Sequence, residues 1–196
     1  MTGEATAAGI QPGGRAPAPG ALALVQAFIN THYDLDYEHG AELLASPAAL
    51  SGWLARAGLT PEQEPADSSD LERALIVREG LRELARGGRG TPRAAARLDR
   101  ATRGAPVEVR FGEGDPRFVP APGSGVSGAI GVLAAVTARS LADGSWSRLK
   151  ICPGDHCGWA FYDHSRNRSG RWCAMSVCGG RAKARSHYRR LRDRER

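Results

Sequence analysis

Four cysteines, all within the last quarter of a 196-residue chain, constrain its folding more than any other feature. Cys152, Cys157, Cys173 and Cys178 make two C-x4-C pairs separated by fifteen residues. Two ligand pairs joined by a loop of that size supply the two sides of a tetrahedral metal site. Thiolates are soft donors that select zinc or an iron–sulfur cluster over magnesium or calcium, and nothing nearby marks a redox cluster. The spacing therefore predicts one structural zinc ion held by all four cysteines. His156 adjoins Cys157 and would lie beside a complete ligand shell without entering it. So small a unit is not secure on packing alone, whereas structural zinc contributes about 10–16 kcal/mol in apparent terms.

Between the cysteine pairs, Trp159 to Asp163 alternates bulky and small side chains. Ser165 to Gly170 has turn composition, and Arg171-Trp172-Cys173 follows. This reads as a hairpin, with Trp159, Phe161 and Trp172 forming a miniature core. After Cys178 the residues to Arg192 are good helix formers, with Ala184, Tyr188 and Leu191 spaced to pack on the zinc core. The other side carries Arg181, Lys183, Arg185, Arg189, Arg190 and Arg192 along a rod about 20 Å long, at about 1.5 Å per residue.

Charge divides the chain sharply. Residues 148–196 hold 13 Lys and Arg against 4 Asp and Glu, whereas residues 1–147 hold 14 against 17. A basic end on a mildly acidic body points to a polyanion that meets the end. Arg166, Asn167, Arg168 and Arg171 at the hairpin turn suit base edges, and the helix cations suit phosphates.

Residues 1–20 contain 13 Gly, Ala or Pro, too little apolar area to offset the entropy of ordering, and read as a disordered tail. Residues 21–146 read as a helical domain with one small β-hairpin. Leu22, Val25, Phe28 and Ile29 share a helix face, and Ser46-Pro47 starts a helix carrying Leu50, Trp53 and Leu54 inward as far as Gly58. Ser69 or Asp70 caps a third helix, with Leu71, Ala74, Leu75, Arg78, Leu81 and Leu84 at helical spacing up to Gly87. A fourth spans Pro92 to Ala101. Val107 to Phe111 and Arg117 to Val119 make the hairpin, and Ile130 to Leu141 a final helix. The fold class is thus a mainly α N-terminal domain with a small β-hairpin, followed at 147–196 by a treble-clef-like zinc module of β-hairpin plus C-terminal helix.

No run of 18 apolar residues is present, which excludes a transmembrane helix on length. The stretch Ala21 to Ile29 is interrupted by Gln26 and leads into Asn30-Thr31-His32 rather than a cleavage site. The expected compartment is the reducing cytoplasm, where clustered cysteines read as metal ligands.

The residues carry a family resemblance. Cys152-Pro, Cys157-Gly-Trp-x-Phe, Asp163-x-Ser-Arg-Asn167, Arg171-Trp-Cys-x-Met175 and Cys178-Gly-x-Arg181-Ala-Lys183 resemble the CGNR zinc-finger family of bacterial proteins. Phe28-Ile-Asn-Thr31, Leu43 to Leu59 with Trp53, and the Arg78 helix are similar to the ABATE domain that precedes that finger. The resemblance implies a transcription regulator, described as stress-induced, with the finger as DNA reader. The N-terminal domain would bind a small-molecule effector or mediate homodimerisation. One departure is that the Asn of the family's Cys-Gly-Asn-Arg is Gly180 here. A glycine at a helix start costs little as a cap, so the departure bears on specificity more than on folding.

Two other readings differ in the partner or the chemistry. An RNA- or ribosome-binding zinc module would use the same cations. A metal-dependent nuclease would use His164 and Asn167, but hydrolysis needs an open metal position and a four-cysteine zinc is closed. His32, Asp34, Asp36, Glu38 and His39 crowd one polar segment, which reads as a solvated loop. The expectation is a DNA-binding protein rather than an enzyme.

Overall fold

A computed structural model describes residues 11–33, 40–62, 64–87, 91–112 and 114–194, with the backbone only for 188, 189 and 191–194. Six α-helices carry the described fold: α1 (Leu22–Ile29), α2 (Pro47–Arg56), α3 (Ser68–Gly87), α4 (Pro92–Thr102), α5 (Gly125–Ala142) and α6 (Gly180–Arg194). Three two-stranded antiparallel sheets accompany them: β1 (His32–Tyr33) with β2 (Ala41–Glu42), β3 (Val107–Arg110) with β4 (Arg117–Pro120), and β5 (Leu149–Ile151) with β6 (Ala160–Tyr162).

Helix starts follow side-chain chemistry. Ser46 Oγ accepts from the Ala49 N–H, with Pro47 at the first helical position, as its sequence requires. Thr91 caps α4 in the same way. The cap of α3 is Asp67 rather than Ser69 or Asp70: Asp67 Oδ1 accepts from the Asp70 N–H, and Asp70 Oδ2 accepts from the Asp67 N–H. The acid three residues on closes the reciprocal bond, a capping box with Asp in both positions.

Around α5 the helices α1, α2 and α3 bury one core, in which Phe28, Leu50, Leu54, Leu81, Ile130 and Leu133 are at most 1% exposed. The Phe28 and Trp53 rings lie 5.3 Å apart in a tilted contact. Contrary to the expectation from apolar runs, α5 is long and apolar enough by length and composition to cross a membrane, but ten of its 18 residues are buried, among them Val126, Ile130, Leu133 and Val136 in this core.

The zinc module shares that core. The register pairs Leu149 with Tyr162, Lys150 with Phe161 and Ile151 with Ala160, so side chains alternate between two faces. Leu149, Ile151, Ala160 and Tyr162 pack with Trp146 into the body, whereas Phe161 packs with the cysteines. One short hairpin is therefore a wall of both units.

Residues 11–20 depart from the tail expected of their composition. Gln11 and Ala18 are buried, and Pro12–Gly14 forms one 3-10 turn. Polar contacts hold what apolar area cannot: Arg15 donates to the carbonyls of Cys173 at 3.0 Å, Trp172 at 3.2 Å and Tyr162 at 3.3 Å, and its guanidinium lies 4.8 Å from the centre of the Phe161 ring. Residues 1–10 lie outside the described residues.

Candidate metal centre and nucleic-acid interface

The turn of the β5–β6 hairpin brings Cys152 and Cys157 together. The Cys152 N–H donates to the Trp159 carbonyl at 2.8 Å, and the Cys157 N–H to the Gly154 carbonyl at 3.0 Å. His156 takes a positive φ of 63° to tighten this turn. Cys173 enters from the following loop and Cys178 from a π turn, Met175–Gly179, that runs directly into α6.

All four sulfurs lie within 4.8 Å of one another, and Cys173 Sγ is 3.8 Å from Cys157 Sγ and 3.6 Å from Cys178 Sγ. Four sulfurs at about 2.3 Å from one tetrahedral centre stand about 3.8 Å apart, so the cluster already has the size of a Zn–S4 site. None of the cysteines is in a disulfide. Sharing hydrogen bonds with Cys157 and Cys173 pushes Cys152 down to about 2, while its thiolate pushes Cys157 up to about 12. Contact with that thiolate raises Cys173 as well, and burial raises Cys178. One negative charge is easily formed here and further ones need a cation, which suits a divalent soft metal. The four cysteines form a site for one structural zinc ion.

The hairpin of the finger is not the one expected from residues 159–173. Ala160–Tyr162 pairs with Leu149–Ile151 upstream, not with Arg171–Cys173. The residues after it instead wrap around a buried carboxylate. Asp163 is 0% exposed and accepts from Lys150 Nζ at 2.7 Å, the Ser165 N–H at 3.0 Å, Ser165 Oγ at 2.7 Å and the Gly170 N–H at 2.7 Å. Burial alone would raise its pKa, but the Lys150 ammonium and the Ser165 and Gly170 donors hold it below the usual carboxylate range. A Cβ at Gly170 would stand 2.7 Å from the Asp163 carboxylate, so the loop closes only because residue 170 has none. This wrapping exposes Arg166, Asn167, Arg168 and Arg171. Arg171 stacks over Trp172 at 5.2 Å, and Arg168 donates to Ser147 Oγ at 3.2 Å.

Of the apolar stripe that its spacing would pack on the zinc core, Ala184 is the member whose side chain is described. Ala184 is exposed, as are Arg181, Lys183, Arg185 and Arg190; the side chains of Tyr188, Arg189, Leu191 and Arg192 lie outside those described. The helix meets the module through its first turn and through Arg185, which pairs with Asp155 of the cysteine turn at 2.5 Å. Gly180 has ordinary helical angles, φ −62° and ψ −46°.

The body grips the same hairpin through residues that spacing did not single out. Asn30 Nδ2 donates to the Ala160 carbonyl at 2.8 Å and Asn30 Oδ1 accepts from the Ala160 N–H at 2.7 Å. Gln26 Nε2 donates to the Ala160 carbonyl at 3.1 Å and to Gln11 Oε1 at 2.9 Å, which also accepts from Trp159 Nε1 at 3.1 Å. Arg82, 1% exposed, donates to the carbonyls of Gly158, Ile29 (2.8 Å) and His32 (2.7 Å), and pairs with Glu79 at 2.9 Å. Glu79 also pairs with Arg78, whose two terminal nitrogens clasp Glu42 at 2.6 and 2.7 Å. Polar Gln26 within an apolar helix face, and Arg78 and Arg82 one turn apart on a core-facing stripe, are the sequence signals of this network.

His164, the residue a nuclease would use, donates from Nε2 to the carbonyls of Ala16 (3.2 Å) and Pro17 (3.0 Å). Of the polar segment at 32–39, His32 faces Glu79 at 3.7 Å, and residues 34–39 fall outside the described residues.

Fold and site define a zinc-finger protein in which a helical body and a four-cysteine module are built onto one shared hairpin. The chain belongs to the ABATE family, whose model, described as "Putative stress-induced transcription regulator", matches residues 20–144; the CGNR zinc finger matches residues 148–191 directly after it. Comparison with curated proteins finds no match.

Proposed function

We propose that the protein is a cytoplasmic transcription regulator that binds duplex DNA through the finger and does no chemistry on it. The observation that carries this reading is α6, a helix that leaves a metal-braced base and presents Arg181, Lys183, Arg185 and Arg190 to solvent. A rigid cationic helix about 10–12 Å across matches the width of a major groove. Arg166, Asn167, Arg168 and Arg171 stand on the neighbouring loop, where the Asp163 wrapping fixes their backbone.

The body supplies the regulation. An effector or a second copy that shifts α1 or α3 moves Asn30 or Arg82, and both hold the backbone of the β5–β6 hairpin. Regulation so built acts on the pose of the finger rather than on its folding.

Titrating a fluorescent duplex at stepped salt tests the reading. Affinity falls along log salt with a slope of about −0.9 for each phosphate neutralised. The double variant Arg181→Gln/Arg185→Gln flattens that slope by about 1.8. Failure of the zinc-loaded protein to bind any duplex, or tighter binding of structured RNA in direct competition, overturns it.

A further inference from the structure

The acidic body carries a local reversal of charge. Between residues 86 and 103 six arginines stand against one acid, Asp99. On α4, Arg93, Arg97 and Arg100 recur at i, i+4 and i+7, and all three are exposed. At about 100° per residue they share a stripe about 60° wide, and Asp99 projects about 120° away. Among the described residues no carboxylate forms an ion pair with Arg86, Arg93, Arg97 or Arg100.

Two further observations separate this stripe from an ordinary solvated face. Arg93 lies in the first turn of α4, where the helix dipole disfavours a cation unless an external anion meets it. The helix is also held as a rigid mount. Thr91 caps its start, Arg73 donates to the carbonyls of Ala101 (2.5 Å) and Arg103 (3.2 Å) at its end, and Leu98 sits so close over Gly80 that a Cβ there would be 2.8 Å away.

The start of α4 lies beside the last turns of α3, where Thr91 Oγ1 donates to Glu83. Arg86, in the last turn of α3, lines a cleft of about 460 Å³ with Cys152, Gly154, His156 and Cys157. Asp155 of the cysteine turn pairs with Arg185 of α6. Arg86 therefore stands between the start of α4 and the cysteine turn.

We infer that the ABATE body itself contacts the nucleic-acid backbone, with Arg86, Arg93, Arg97 and Arg100 on phosphates beyond those met by the finger. This rests on the proposed function for its partner. The body then sets the register of the finger on the duplex, since phosphate contacts position a protein while base contacts specify. Three arginines over about 10 Å of helix match a duplex that carries one charge per about 1.7 Å.

The test is the triple variant Arg93→Gln/Arg97→Gln/Arg100→Gln, whose substitutions are all exposed and close in helix propensity. Full-length zinc-loaded protein is titrated against a generic 30-base-pair duplex and a 12-base-pair one at stepped salt. The salt slope on the long duplex becomes shallower by about 2.7, circular dichroism is unchanged, and the short duplex shows a smaller difference. An unchanged slope on the long duplex, with Arg181→Gln/Arg185→Gln still flattening it, overturns this inference and leaves the proposed function standing. Absence of duplex binding by the unaltered protein overturns both. Loss of binding to polyglutamate in the triple variant, with the duplex slope intact, assigns the stripe to an acidic protein and equally overturns the inference.

Discussion

Asn30 pairs with the backbone of Ala160 as another strand would, its side-chain amide donating to the carbonyl at 2.8 Å and accepting from the N–H at 2.7 Å. Ala160 is 0% exposed, so neither group has water as a substitute partner. The Asn30 amide therefore joins the end of α1 to the residue two beyond Gly158, within the finger's own hairpin.

Asn30→Ala leaves the Ala160 N–H without this partner, while the carbonyl keeps Gln26 Nε2, and is expected to cost about 1–3 kcal/mol for one buried unsatisfied group. Urea unfolding checks the magnitude. A loss below about 0.5 kcal/mol would mean the hairpin does not depend on the body.

Arg82→Met removes a buried guanidinium that serves three carbonyls and the Glu79 carboxylate. Breaking a buried pair from one side costs about 3–5 kcal/mol. Zinc release to a chromogenic chelator is expected to accelerate in the variant, because Gly158 directly follows the ligand Cys157.

Zinc removal is expected to reach the body. Leu149, Ala160 and Tyr162 belong to the same core as Trp146, which is 1% exposed. Loss of the metal withdraws a contribution of about 10–16 kcal/mol from the module and frees one wall of that core. Chelation should red-shift tryptophan emission and release one zinc per chain; Cys173→Ser should reproduce the shift without chelator.

Asp163→Asn tests the carboxylate at the centre of the finger loop. The folded pKa of Asp163 is depressed below its unfolded value of about 3.9. Its contribution is thus fully present above that pH and is lost as pH falls through the folded value. The stability difference between the two proteins should stay constant from pH 8 to 5 and shrink below about pH 4. Glu42 and Glu79 are depressed in the same sense, their arginine partners outweighing the burial that would raise them, and they add to acid unfolding in both proteins alike.

Gly80→Ala inverts the usual helix rule. Ala exceeds Gly by about 1 kcal/mol in an exposed helix interior, but here the new methyl would stand 2.8 Å from Leu98. Overpacking costs about 1–3 kcal/mol, so thermal unfolding should show a net loss. A stabilised variant would show that α4 is free to shift.

Much of the local structure was legible because it rests on near-neighbour chemistry. Ser46-Pro47 and Thr91-Pro92 announce helix starts whatever surrounds them, and two C-x4-C pairs can close on one tetrahedron within a short loop. The hairpin partner of Ala160–Tyr162 was not legible, because alternation shows that a segment is a strand without naming its mate. The alternation of Leu149, Lys150 and Ile151 is equally compatible with pairing on either side.

By itself the sequence determined the helices, the zinc ligands, the charge of the last quarter and the family, all of which depend on residue type at fixed spacing. Only the tertiary structure decided that residues 11–20 strap the finger, that Ala160–Tyr162 pairs with Leu149–Ile151, and that the two units share a hairpin. Those outcomes depend on buried polar partners far apart in the chain, such as Arg15 with Cys173 and Asn30 with Ala160. A buried hydrogen bond is set by which backbone groups lack a partner once the core has closed, and that is a property of the assembled fold rather than of any short stretch of sequence.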